Sequence, residues 1–129
     1  MNAIEQALNR VPQIDGMVGA MLVEASTGHV VGVLHTGDVG RGDQDSATTV
    51  LAAAGTDLVH TISLLSAQLA GAGPFDELIV AFRGQHHIIR PVQVVGHDDL
   101  FLLVTLDRRR ANLALARHQL QAVESQIVA

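Results

Sequence analysis

Seven histidines are the first residues in this chain with chemistry to offer, because a neutral imidazole nitrogen is a good ligand for zinc, copper or nickel. His86 and His87 are adjacent, so on a strand their rings point to opposite faces and cannot share an ion. His35, His60 and His97 stand alone in the sequence, and no His-Glu-x-x-His pattern occurs. The spacing predicts satisfied or solvated histidines and no metal. Asp76 with Glu77 and Asp98 with Asp99 have the residue types for acid–base work. Both pairs stand in turn-forming stretches ahead of strands, where an aspartate serves the backbone. Ser63 and Ser66 lack the G-x-S-x-G turn that exposes a serine nucleophile. Gly37, Gly40 and Gly42 fall between a strand and a helix, where a phosphate loop would lie, but not at G-x-G-x-x-G spacing. Asp38, Asp43 and Asp45 would also repel a phosphate, so the segment reads as a surface loop. No catalytic residue and no cofactor is expected, and the chain reads as a non-enzyme. Arg108, Arg109 and Arg110 form the one positive cluster, at the start of the last helix, where the helix dipole disfavours cations. Such a cluster reads first as the solvated end of a helix, and otherwise fits an acidic protein surface or an anionic lipid.

Composition narrows the classes further. A length of 129 residues suits one domain spanning 1–129. The absence of cysteine excludes disulfides, thiol nucleophiles and cysteine-rich zinc sites. All eight basic residues are arginine, so no lysine exists for a Schiff base or a Walker-type loop. A net charge of −5, no Trp or Tyr, and only Phe75, Phe82 and Phe101 argue against nucleic acid as a partner. No unbroken apolar run reaches the roughly 20 residues of a membrane span, so none is expected. Met1 to Arg10 carries Glu5 and Gln6 instead of a basic stretch followed by an apolar one, which leads to the expectation of a cytoplasmic protein. Yet 48% of the residues are hydrophobic, more than so small a core needs, and the surplus predicts an obligate oligomer.

The elements that would position these residues follow from periodicity. Ile4, Leu8 and Val11 mark a short first helix ended by Pro12. Met17–Val23 and His29–His35 read as a hairpin turning at Glu24–Gly28. A long second helix, capped by Asp45 or Ser46, runs to about Ala70, where Gly71, Gly73 and Pro74 stop it. Strands follow at about Glu77–Arg83, His87–Val95 and Leu100–Leu106. A third helix, capped by Asp107, carries Leu113, Ala116, Leu120, Val123 and Ile127 on one face. Strands 1 and 5 are apolar on both faces and should lie centrally, and Pro91 predicts a bulge or an unpaired position in strand 4.

On the second helix, Leu51, Ala54, Leu58, Ile62, Leu65 and Leu69 form the expected core stripe. A seam of small residues, Ala52, Gly55, Val59, Ser63 and Ser66, runs beside it. The seam leaves room for another part of the chain or for the same helix of a second copy. Leu64 falls off the stripe near Asp57 and His60 and is a candidate partner-facing residue.

With this order of elements, the segment Ile14–Gly28 (IDGMVGAMLVEASTG) and the segment Ala111–Arg117 (ANLALAR) resemble the roadblock/dynein-light-chain family. The telling residues are Gly16, Gly19 with Ala20, Gly28, and Asn112–Leu113 with Ala116–Arg117. The resemblance implies an α+β domain of profilin-like, α/β/α-layered type. Its five-stranded antiparallel sheet has the order 2-1-5-4-3, with the second helix on one face and the first and third on the other. It implies a homodimer, pairing strand 3 with strand 3 and second helix with second helix through Gly55, Leu58, Val59, Ile62, Leu65, Leu78, Val80 and Phe82. Prokaryotic members look like non-enzymatic partners of small Ras-like GTPases in signalling or polarity. Asp57, His60, Leu64 and Arg108, Arg109 and Arg110 are then the candidate partner surface. A nucleotide-independent scaffold subunit is the alternative reading, and a small-ligand or metal sensor the third.

Overall fold

The computed structural model describes residues 14–35, 44–94 and 96–127; of the side chains it leaves out those of His35, 44–47, Asp98 and 125–127. The first helix expected from Ile4, Leu8 and Val11 and the loop from Gly37 to Asp43 lie outside the described residues, as do the side chains of Asp45 and Ser46 offered as caps.

Five strands form one antiparallel sheet, β1 (Met17–Glu24), β2 (His29–His35), β3 (Leu78–Ala81), β4 (Gln85–Val94) and β5 (His97–Asp107), in the order β2-β1-β5-β4-β3. The two apolar strands, β1 and β5, are interior as their composition requires. Alternate residues of β5 divide the core. Leu100, Leu102, Val104 and Leu106 join Ala116, Leu120 and Val123 of the last helix, α2 (Leu113–Ile127). Phe101 and Leu103 join Ala52 and Val59 of the long helix, α1 (Gln44–Gln68). Because successive strand side chains point to opposite faces, the two helices pack on opposite faces of the sheet.

Local chemistry explains the element ends. The helix α1 stops where Gly71 takes φ +80°, with Pro74 beyond. Asn112, not Asp107, caps α2: its Oδ1 accepts the Leu115 N–H at 3.1 Å, and its own N–H donates to Asp15 Oδ2 at 2.7 Å. Asp107 instead organises the turn before α2, its Oδ1 accepting the Arg109 N–H at 3.0 Å. Pro91 pairs in register with Phe101, and the irregularity falls further on, between Val92 and Val94. The last β4 residue paired to β3 is Ile89, so Pro91 lies where one side of the strand has no neighbour awaiting a donor.

The largest departure from expectation concerns α1. From Ala52 to Val59 its seam of small residues faces the sheet, while Ser63 is exposed: Ala52 and Val59 are buried, and a Cβ on Gly55 would stand 3.0 Å from Leu103 Cδ1 and 3.3 Å from Phe101 Cε2. Of the expected stripe Leu51 packs against the core cluster, while Leu58, Leu65 and Leu69 turn outward, 41%, 54% and 52% exposed. Small residues let the helix backbone settle close over large strand side chains such as Phe101, a separation that a leucine-first helix could not reach. Buried Thr56 returns its hydroxyl to the Ala52 carbonyl at 2.8 Å, so its polarity costs little. By length and composition the stretch Thr48–Gln68 is apolar enough to cross a membrane, with a mean hydropathy of 1.4, although no unbroken run suggests it. One face of it is committed to the sheet, with 22% of the stretch buried.

Candidate interaction surface

The rotation of α1 about its own axis is fixed by contacts on two flanks. On one, His60 Nε2 lies 2.8 Å from the Ala25 carbonyl, and Thr56 approaches Gly28 in the β1–β2 hairpin. On the other, Gly55 rests on β5. At roughly 100° per residue, Leu58 and Ile62 each lie about 160° around the helix from His60. They therefore continue the Gly55 flank, away from the hairpin and toward β4 and β3.

Among the described residues the sheet below that flank carries Phe75 of the loop before β3 but no helix. The described helix on this face lies over the β2–β1 side, and no described helix covers the β3–β4 side. Leu78 and Val80 are only half-buried there, and Phe82, just past the end of β3, is 53% exposed. The exposed flank of Leu58, Ile62 and Leu65 and the β3–β4 residues Leu78, Val80 and His87 share this face of the sheet and border one slot, with Phe82 against the His87 ring. Among the described residues the outer edge of β3 has no strand beside it. It is an apolar stretch beside a strand edge that is unpaired among the described residues.

Of the eight residues expected to mediate self-association, Leu58, Ile62, Leu65, Leu78, Val80 and Phe82 are exposed or half-buried on the α1 side of the sheet. Gly55 and Val59 are not: they are spent inside the chain's own core against Phe101 and Leu103. Among the residues expected to face a partner, Asp57 and Leu64 stand on the outer face of α1, Leu64 at 69% exposure. His60 is committed on one nitrogen to Ala25. Arg108, Arg109 and Arg110 precede α2 in a turn and are exposed. Arg108 donates to the Phe82 carbonyl at 2.7 Å, and Arg110 reaches Asp107 at 3.3 Å. Arg108 thereby ties the end of β3 to the end of β5.

Sequence reasoning missed the most strongly connected charged group. Arg90 on β4 is buried and donates to both oxygens of Glu124 on α2 and to Glu77 before β3. Arg117 on α2 completes the set, 2.6 Å from Glu77. The Glu124 hydrogen bonds foremost, and both carboxylates' charges, raise the Arg90 pKa, against the opposing effect of burial. Four charges that neutralise one another clamp α2 to the sheet. A cleft of about 290 Å³ between Phe75, Pro91 and this group is bordered by side chains already paired among themselves. Glu77, placed in the turn by sequence, is therefore structural. Among the described residues no group of His, Asp and Glu could hold a metal ion.

No protein-family model and no curated protein matches this chain. Solved structures do. The gliding protein MglB of Thermus thermophilus superposes with a TM-score of 0.76 at 15% identity, covering 97% of this chain and 87% of its own. A second MglB structure, in a tetrameric arrangement, matches to the same degree. MglB of Myxococcus xanthus gives 0.74 at 19% identity, over 96% of this chain and 84% of its own. A Roadblock/LC7 domain from Streptomyces avermitilis gives 0.70 at 16% identity, over 97% and 94%. The chain has the roadblock/LC7 fold of these prokaryotic proteins.

Proposed function

We propose that this chain is a non-enzymatic, homodimeric regulator or adaptor of a small Ras-like GTPase, acting in the cytoplasm. The observation that carries the reading is the uncovered slot between the leucine flank of α1 and the β3–β4 end of the sheet. In a chain this small, an apolar stretch beside an unpaired strand edge calls for an occupant. A second copy would offer the same apolar flank and the same strand edge in return, which is what a two-fold interface requires. The solved MglB with a tetrameric arrangement supports self-association, and the gliding role of MglB supports a place in polarity or signalling. The GTPase comes from the family resemblance of Ile14–Gly28 and Ala111–Arg117. Asp57 and Leu64 stay on the outer face of α1 when the slot is filled and, with the arginine turn, remain available to such a partner.

The test is a tagged pull-down from native cytoplasm, run in parallel with GDP and a non-hydrolysable GTP analogue. A small GTPase retained in one nucleotide state and lost with Leu64→Glu is the expected result. Partners indifferent to nucleotide would replace the regulator with a scaffold subunit.

A further inference from the structure

One described side chain bordering the slot can change its charge near neutral pH. His87 is half-buried, and its Nε2 lies 3.0 Å from Gln85 Oε1 while its Nδ1 lies 3.3 Å from the Thr105 hydroxyl. These partners suit a neutral ring with its proton on Nε2, donating to the amide oxygen and accepting from the hydroxyl. The ring meets Phe82 edge to face at 5.3 Å. Burial holds its pKa below the ordinary histidine value.

The groups facing this ring come from four elements. From β3 and its end come Val80 and Phe82, followed by Arg83; from β4 itself, Gln85 and Ile89 share the face. From β5 come Thr105 and, one pair further along that face, Asp107, whose carboxylate already holds the Arg109 N–H and Arg110. Arg108 is anchored on the Phe82 carbonyl. The flank of α1 that borders the slot brings Leu58, Ile62 and Leu65 and no titratable group. Among the described residues no carboxylate pairs with His87. A proton here adds a cation beside Phe82, whose carbonyl Arg108 already holds.

We propose that His87 makes self-association through the slot sensitive to pH, its neutral ring admitting a second copy and its protonated ring driving the copies apart. The inference rests on the second-copy reading above and adds its regulation. Covering the slot removes more water from the imidazole, so the associated form resists protonation more than the free chain does. Linkage then weakens association as pH falls below the free chain's His87 pKa. The dissociation constant rises up to about tenfold per pH unit for each His87, or about a hundredfold for a symmetric pair.

The experiment is sedimentation equilibrium of the full chain from about pH 8 down to about pH 5.5, the range in which histidine changes charge. It is read wherever the far-UV circular dichroism is unchanged. His87→Gln keeps a hydrogen-bonding side chain without a titrating one, and His87→Phe tests the same point with an apolar ring. The expected result is a dimer at high pH that dissociates on acidification, while both variants stay dimeric throughout. A wild-type dimer equally tight at every pH overturns the switch and leaves the second-copy reading standing. Acid dissociation that persists in both variants also overturns it, since another group would then carry the effect. A monomer at high pH overturns the second-copy reading and the switch with it.

Discussion

Gly16 shows at the residue scale how little freedom some positions have. It sits at φ +71°, and a Cβ there would come within 2.5–2.7 Å of Ala111 Cβ, Cα and N, while its carbonyl accepts the Asp107 N–H at 2.9 Å. Backbone atoms cannot swing away as a flexible side chain can. Gly16→Ala should therefore destabilise the fold by about 2–4 kcal/mol, read as a lower urea midpoint, by combining a left-handed backbone with a collision. His87 gives the single chain a pH dependence of its own. Its pKa is depressed in the folded state from 6.5, so the unfolded chain takes up the proton first as pH falls. The contribution is present above about pH 6.5 and is lost as pH drops through the folded value. Thermal melts of a monomeric variant should show that loss on acidification, and His87→Gln should flatten it.

Elements respond according to which face is struck. Arg90→Met leaves Glu77 and Glu124 facing each other without their shared cation, and a loss of about 3 kcal/mol is expected from denaturant unfolding. Arg117→Ala removes only a half-exposed partner of the same Glu77 and should cost at most about 1 kcal/mol. The sequence made the strands, the order of the described elements and the α2 stripe from Leu113 to Val123 legible, because strand alternation and helical spacing are set by backbone geometry alone. It misled on α1. Leucines at spacings of three and four are the strongest periodic signal in the helix, yet the sheet beneath already supplies Phe101 and Leu103, and close approach favoured Ala52, Gly55 and Val59. Which face turns inward depends on the partner surface, which local periodicity does not contain. Arg90 was unreadable for a related reason. Its partners lie 13 and 34 residues away and meet only when α2 docks on β4.

For the whole molecule, the outward leucines and the inward seam make opposite predictions. Leu65→Glu should leave unfolding free energy of the isolated chain within about 0.5 kcal/mol, since the side chain is already over half exposed, and should yield a monomer by sedimentation. Val59→Asp, on the buried face of the same helix, should cost about 3 kcal/mol or more by placing a carboxylate in an apolar core. A Leu65→Glu chain that stays dimeric would remove the slot from consideration as the interface.

The strand order has a bearing on how the chain reaches this state. The hairpin β1–β2 and the meander β3–β4–β5 each form from neighbours in sequence, but β1 and β5 pair only across the whole stretch from Glu24 to Leu100. Closing so long a loop is entropically the costliest contact in the sheet, and it is rewarded only when both core clusters assemble. Until then the two most apolar strands each have an unsatisfied edge. Folding should therefore end in one docking event that zips Met17–Glu24 against Leu100–Leu106. The species just before it, with β1 and β5 not yet joined, is where crowded refolding would divert the chain into aggregates.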